Sequence, residues 1–176
     1  KLKEKGEFKD ILTEEYIYEV SNSSPLHDVG KIKVSDLILN KPGRLDDEEF
    51  KKMQIHTIEG EKIIENAMKI SSTSDYLKEA KNIAAYHHEK WDGTGYPYGL
   101  KGEDIPLSAR IMAVSDVFDA LISARVYKPA MKFEDAMRII KEGSGKHFDP
   151  VIVNAFVDAE EEVKKIAEEH KKIFES

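Results

Sequence analysis

The chain reads as an all-α protein, a single helical bundle. Two features predict this: apolar residues recur at helical spacing over most of the 176 residues, and strand-like alternation is confined to a few short stretches. There is also no internal repeat to suggest a solenoid or propeller.

The elements follow in order. Thr13 before Glu14 and Glu15 has the form of a helix start, and the helix runs through Tyr16, Ile17 and Val20 towards Ser24. Pro25 and Gly30 bracket a turn that carries His27 and Asp28. After Pro42-Gly43, the acids Asp46 to Glu49 occupy a first helical turn, where the helix dipole favours them. Phe50, Met53, Gly60, Ile63, Ile64 and Ala67 then mark one buried stripe of that helix. Another helix starts near Ser74, carries Leu77, Ala80 and Ala84, and ends at His87-His88. Residues 91 to 106 hold four of the ten glycines and two of the six prolines, so they form a loop. Leu107 to Ser123 is almost continuously apolar and predicts the central buried helix. Phe133 to Lys141 is a further helix. Asp149 as cap with Pro150 in the first turn opens the last one, expected to extend to Ile173.

Composition excludes several function classes. A chain with 40% hydrophobic residues supports a packed core, and no apolar run is long enough to span a membrane. No signal-type apolar segment follows the charged start Lys1-Leu2-Lys3, so the expected location is cytoplasmic. Cysteine is absent, which leaves His, Asp and Glu as the metal ligands available. A net charge of −7 argues against a broad grip on a nucleic acid polymer, whereas a small nucleotide needs only a few local cations.

The chemistry-bearing residues are few. His56 lies on the apolar stripe of its helix. Alone it would read as a buried histidine satisfied by a backbone carbonyl, but it has company. His87 and His88 are adjacent, about 100° apart on a helix, so using both requires a site at the helix end, with the two rings reaching different metals. Asp116 interrupts the run Ala109 to Leu121, and a carboxylate there is costly unless it is paired or on a metal; Arg110 or Arg125 would be the ion-pair alternative. Asp119 follows one turn later. His27-Asp28 supplies neighbouring nitrogen and oxygen ligands from a turn, and imidazole suits iron, manganese and zinc.

The run His87-His88-Glu89-Lys90-Trp91-Asp92-Gly93-Thr94-Gly95-Tyr96-Pro97, with Leu26-His27-Asp28-Val29-Gly30-Lys31 upstream, resembles the double signature of the HD-GYP family of the HD phosphohydrolase superfamily. The resemblance covers roughly residues 13 to 158. It implies a single HD-type helical bundle with a glycine-rich GYP loop, and hydrolysis of cyclic di-GMP to linear pGpG, with GMP as the further product. It implies metal-ligand roles for His27, Asp28, His56, His87, His88 and Asp116, with Asp28 bridging, around two or three divalent ions, iron or manganese. Asp28 and Lys31 carry catalytic roles in this reading: Lys31 binds the phosphate or protonates the departing ribose oxygen. Arg125 and Lys128, in Ser123-Ala124-Arg125-Val126-Tyr127-Lys128-Pro129, bind the substrate's phosphates. Gly95, Tyr96 and Pro97 shape the substrate mouth or a surface for diguanylate cyclase (GGDEF) domains. Trp91 caps the core or stacks on guanine, and His147 is structural.

The chain departs from that family at its start. HD-GYP proteins usually carry a further metal-binding histidine on a helix before the His-Asp pair, and here no histidine precedes His27. The expectation is therefore a domain over residues 13–176, truncated at its N-terminus and weakly active, with residues 1–12 as the remnant of an upstream connecting region. Glu14, Glu15 and Glu19 are the local oxygen donors that could compensate. The domain would be the output end of a signalling protein with a sensor or receiver domain upstream. The alternatives are a module that binds cyclic dinucleotides or a diguanylate cyclase with little turnover, and an HD phosphohydrolase acting on another nucleotide.

Overall fold

The computed structural model of the chain describes residues 1–70, 75–123 and 130–174, with side chains as far as residue 169. Among these residues there are helices and no strands. They are α1 (Glu14–Ser23), α2 (Asp36–Leu39), α3 (Asp47–Ile70), α4 (Asp75–Tyr86), α5 (Leu107–Ile122), α6 (Phe133–Glu142), α7 (Pro150–Asp158) and α8 (Glu160–Phe174). Short 3-10 turns at Ser24–Leu26 and Val29–Lys33 flank His27 and Asp28.

Local capping explains where the helices begin. The Thr13 hydroxyl accepts from the Tyr16 amide, and the Asp149 carboxylate accepts from the Val151 amide with Pro150 in the first turn. The acids Asp47, Glu48 and Glu49 open α3 as expected. One expectation fails at the other end of the chain. There is no single helix from Asp149 to Ile173, because α7 stops at Asp158 and α8 starts anew at Glu160. The break separates two kinds of surface, since α7 buries Ile152, Val153 and Ala155, while α8 is charged and, as far as Glu169, largely solvated.

The main core gathers around α5. Leu107, Ala113, Val114 and Phe118 pack against Ala136, Met137 and Ile140 of α6, Ile152 and Val153 of α7, and Phe148. Leu12 is buried in the same cluster, and Leu2 and Phe8 pack on its edge, so part of the first twelve residues lies on the core. A second cluster joins Ile64 of α3 to Ala80 and Ala84 of α4, with Leu26 and Val29 packed on it. The expected stripe on α3 is partly corrected: Phe50 and Ala67 are exposed, and His56, Thr57, Gly60 and Ile64 form the buried face. Of the two ion-pair alternatives for Asp116, Arg125 lies outside the described residues and Arg110 is engaged by Asp149. The Arg110 guanidinium lies 2.7 Å from Asp149, buried on both sides, and so ties α5 to the cap of α7. No helix among the described residues is long and apolar enough to cross a membrane.

Candidate metal centre

Four segments distant in sequence meet at one place. The turn between the two 3-10 segments brings His27 and Asp28, α3 brings His56, the end of α4 brings His87 and His88, and α5 brings Asp116. Asp28 is the hub. Its carboxylate oxygens lie 3.3 Å from His27 Nε2, 3.6 Å from His56 Nε2 and 4.0 Å from His87 Nε2. Asp116 Oδ1 lies 3.8 Å from His27 Nε2. Ligand atoms of His56, His87 and His88 all fall within 4.8 Å of one another.

The packing that seats Asp28 depends on a missing side chain. A Cβ on Gly30 would fall 1.9 Å from the His56 carbonyl oxygen and 2.5 Å from the Gly60 nitrogen. Only glycine allows the turn to lie this close to α3.

Each of three imidazoles has a defined tautomer. Nδ1 of His27 meets the Ser24 carbonyl at 2.8 Å, Nδ1 of His56 the Met53 carbonyl at 2.7 Å, and Nδ1 of His87 the Ile83 carbonyl at 2.9 Å. A carbonyl only accepts, so Nδ1 is the donor, and the neutral ring presents an Nε2 lone pair. Those lone pairs converge on Asp28. The Nε2 atoms of His56 and His87 are buried and have no hydrogen-bond partner in the protein. Nitrogen lone pairs and carboxylate oxygens at these spacings repel unless a cation stands among them. Metal-ligating histidines usually donate their other ring N–H to a carbonyl or carboxylate, as these rings do. The donor set therefore fits a divalent metal.

Electrostatics follow the geometry. Burial, with His27 and His56 nearby, pushes the His87 pKa down to about 3, and burial beside His87 and His56 pushes that of His88 down to about 2. Burial also lowers that of His56. His27 goes the other way. Burial opposes its charging, but the charged ring can donate from Nε2 to Asp28 as well as from Nδ1 to the Ser24 carbonyl, and these bonds prevail. For Asp28, burial is outweighed by His27 and Lys31, which hold the carboxyl well below the usual range. Lys31 Nζ sits 2.5 Å from Asp28 Oδ2.

Both histidines of the pair lie just past α4, in the turn, with ring centroids 4.0 Å apart. Both rings also lie close to His56, with centroids 5.5 Å and 5.1 Å from it. Asp119 does not join the group; it is exposed, within 3.4 Å of the Ser123 hydroxyl. Glu14 pairs with Lys3 at the surface, and Glu15 is exposed. Arg125 and Lys128 lie outside the described residues.

The glycine-rich loop folds back over the histidine pair. Tyr96 donates its amide to the His88 carbonyl at 3.2 Å, and its ring stacks on His88 with centroids 4.8 Å apart. A Cβ on Gly95 would fall 2.3 Å from the Lys90 nitrogen, so glycine again permits the approach. The residue that sequence reasoning missed is Glu89. Its buried carboxylate accepts from the amides of Tyr98 (2.7 Å), Gly99 (3.1 Å) and Leu100 (3.0 Å), which shapes the loop from within. Its position inside the histidine–glycine run was the available signal. Trp91 sits under the Arg110 guanidinium and donates its amide to the His147 carbonyl, and His147 stacks on Phe148, so these aromatic groups belong to the packing around the loop.

Known proteins resemble this chain closely. The model of the HD domain family matches residues 11–152. A cyclic di-GMP phosphodiesterase of Vibrio cholerae is 53% identical over 161 residues, covering 92% of this chain and 33% of the relative. A cyclic di-GMP phosphodiesterase of Thermotoga maritima is 44% identical over 155 residues, covering 88% of this chain and 41% of the relative. The chain thus spans between a third and about two-fifths of the length of these relatives. A crystal structure of a cyclic GMP-AMP specific phosphodiesterase of Vibrio cholerae superposes with a TM-score of 0.51 at 22% identity, over 88% of this chain and 39% of that one, a likeness of fold.

Proposed function

The chain belongs to the HD domain family, in its HD-GYP group, and from that premise we propose that it is the phosphodiesterase domain of a signalling protein and hydrolyses cyclic di-GMP to pGpG and then GMP. The observation that carries this reading is the convergence of imidazole Nε2 atoms on the Asp28 carboxylate. A site that only binds a nucleotide has no need of such a donor set.

In this reading His27, Asp28, His56, His87, His88 and Asp116 hold two or three divalent ions, iron or manganese. Such ions supply an activated water and neutralise charge on the phosphoryl oxygens. The protein's own residues do the rest. The Ser24, Met53 and Ile83 carbonyls keep three imidazoles in the donor tautomer and aimed inward. Lys31 keeps Asp28 ionised, and its side chain, 42% exposed, is free to swing to a phosphate or to protonate the departing ribose oxygen. Arg125 and Lys128 grip the phosphates, each contact being worth about 1.5–3 kcal/mol. The Gly95-Tyr96-Pro97 segment walls the substrate mouth, where a diguanylate cyclase domain would also dock.

The test is turnover of cyclic di-GMP, cyclic GMP-AMP and linear nucleotides by the protein loaded with Mn²⁺ or Fe²⁺. Metal-dependent formation of pGpG that chelator abolishes is the expected result. Tight binding of cyclic di-GMP without turnover would convert the site into a sensor, and turnover of linear nucleotides alone would overturn the substrate.

A further inference from the structure

Phe50 stands out once the metal centre is built. It lies in the first turn of α3 among Glu48, Glu49, Lys51 and Lys52, leaves 46% of its surface exposed, and belongs to neither apolar cluster of the described residues. A single exposed apolar side chain needs no explanation of its own. This one, however, has a directed contact. Its ring meets Tyr96 edge-to-face, with centroids 6.1 Å apart and planes at 83°, and Tyr96 in turn stacks on His88. Phe50 is thus two ring contacts from the imidazole cluster, in contact with Tyr96 on one side and 46% exposed.

A phosphodiester at the cluster carries its nucleobases one sugar away from phosphorus, so a base must come to rest beside the rim. An exposed aromatic ring there, with only two side-chain torsions to order, provides a stacking surface for a base. We propose that Phe50 is a nucleobase-binding residue of this site, stacking on one purine of a cyclic dinucleotide while the phosphate occupies the imidazole cluster. This rests on the function proposed above and adds the residue that reads the base.

The experiment compares wild type with Phe50→Ala, Phe50→Leu and Phe50→Trp in the Mn²⁺-loaded protein. It measures KM and kcat for cyclic di-GMP, the inhibition constant of inorganic phosphate, and metal per chain. Phosphate occupies the cluster without a base, so its constant separates stacking from damage to the centre. The expected result is a KM raised about five- to a hundredfold in Phe50→Ala and nearly as much in Phe50→Leu. Phe50→Trp should stay near wild type, and kcat, phosphate inhibition and metal content should change little throughout. Recovery of wild-type KM by Phe50→Leu would make Phe50 an apolar packing residue and overturn the proposal, as would a phosphate constant that moves in step with KM. Wild-type KM in Phe50→Ala would remove this inference alone. A wild-type protein that is metal-loaded yet neither binds nor turns over cyclic di-GMP would remove it together with the proposed function.

Discussion

Gly30 and His56 share a space that has no room for a side chain: a Cβ on the glycine would fall 1.9 Å from the histidine's carbonyl oxygen. The turn bearing Asp28 and the helix bearing His56 are therefore held in register by backbone contact, and metal affinity and fold stability are linked there. Gly30→Ala should push the turn off α3, costing about 1–3 kcal/mol or more of stability, and should lower metal content as well. Urea denaturation and metal analysis of the same preparation check both. Loss of stability with full metal content would uncouple the contact from the site.

Asp28→Ala and Asp116→Ala should each reduce bound metal and hydrolysis, Asp28 the more severely. Asp28 faces three imidazole nitrogens from three separate segments, and Asp116 Oδ1 lies 3.8 Å from His27 Nε2. Outer-shell changes typically cost ten- to a hundredfold in affinity or activity, so the loss at Asp28 should exceed about a hundredfold. Metal titration followed by steady-state assays supplies the comparison. Unchanged stoichiometry in both variants would remove these carboxylates from the centre.

Glu89→Ala should loosen the glycine-rich loop. It would leave three amides, those of Tyr98, Gly99 and Leu100, without their buried acceptor. Each buried group left unsatisfied costs about 1–3 kcal/mol, reduced here where water enters. Hydrogen exchange at residues 98 to 100 should accelerate. Glu89→Gln, which keeps a carbonyl oxygen, should recover part of the protection. Unaltered exchange in the alanine variant would show that the loop holds itself.

The metal-free protein should lose stability as pH falls below about 6.5, the ordinary histidine value. The pKa values of His87 and His88 are depressed to about 3 and about 2, that of His147 to about 4, and that of His56 is lowered too. Between those values and 6.5 the unfolded chain binds protons that the folded one refuses. Their stabilisation is therefore complete above 6.5 and is lost as pH falls through the folded values, at about 1.4 kcal/mol per pH unit for each such proton. His27 has the opposite sign, because its pKa is raised: its contribution is present below 6.5 and lost as pH rises through its folded value. Four groups shifted downward outweigh it on the acid side. Denaturation of chelator-treated protein at pH 7.5, 6 and 5 measures the slope, and a flat profile would contradict the buried neutral imidazoles.

What the sequence alone determined here is local or chemical in kind. Thr13 and the Asp149-Pro150 pair mark helix starts because a cap bonds an amide two or three residues away, within reach of any window. The histidines and aspartates announce metal ligands because no cysteine competes and because a carboxylate in the apolar run of α5 demands a reason. The glycines and prolines of residues 91–106 announce a loop by their backbone freedom and restraint. What only the tertiary structure decided depends on partners far apart in the chain. Arg110 takes Asp149, 39 residues away. Helical spacing put Phe50 on the buried stripe of α3, but burial depends on what packs there, and its ring meets Tyr96 in a T-shaped contact while staying 46% exposed. The backbone leaves α4 just where it must for His87 and His88 to share one centre. Periodicity describes the faces of a single helix; the Nε2 atoms that meet at Asp28 come from three separate segments, and their aim is set by carbonyls and glycine contacts that exist only once those segments have packed.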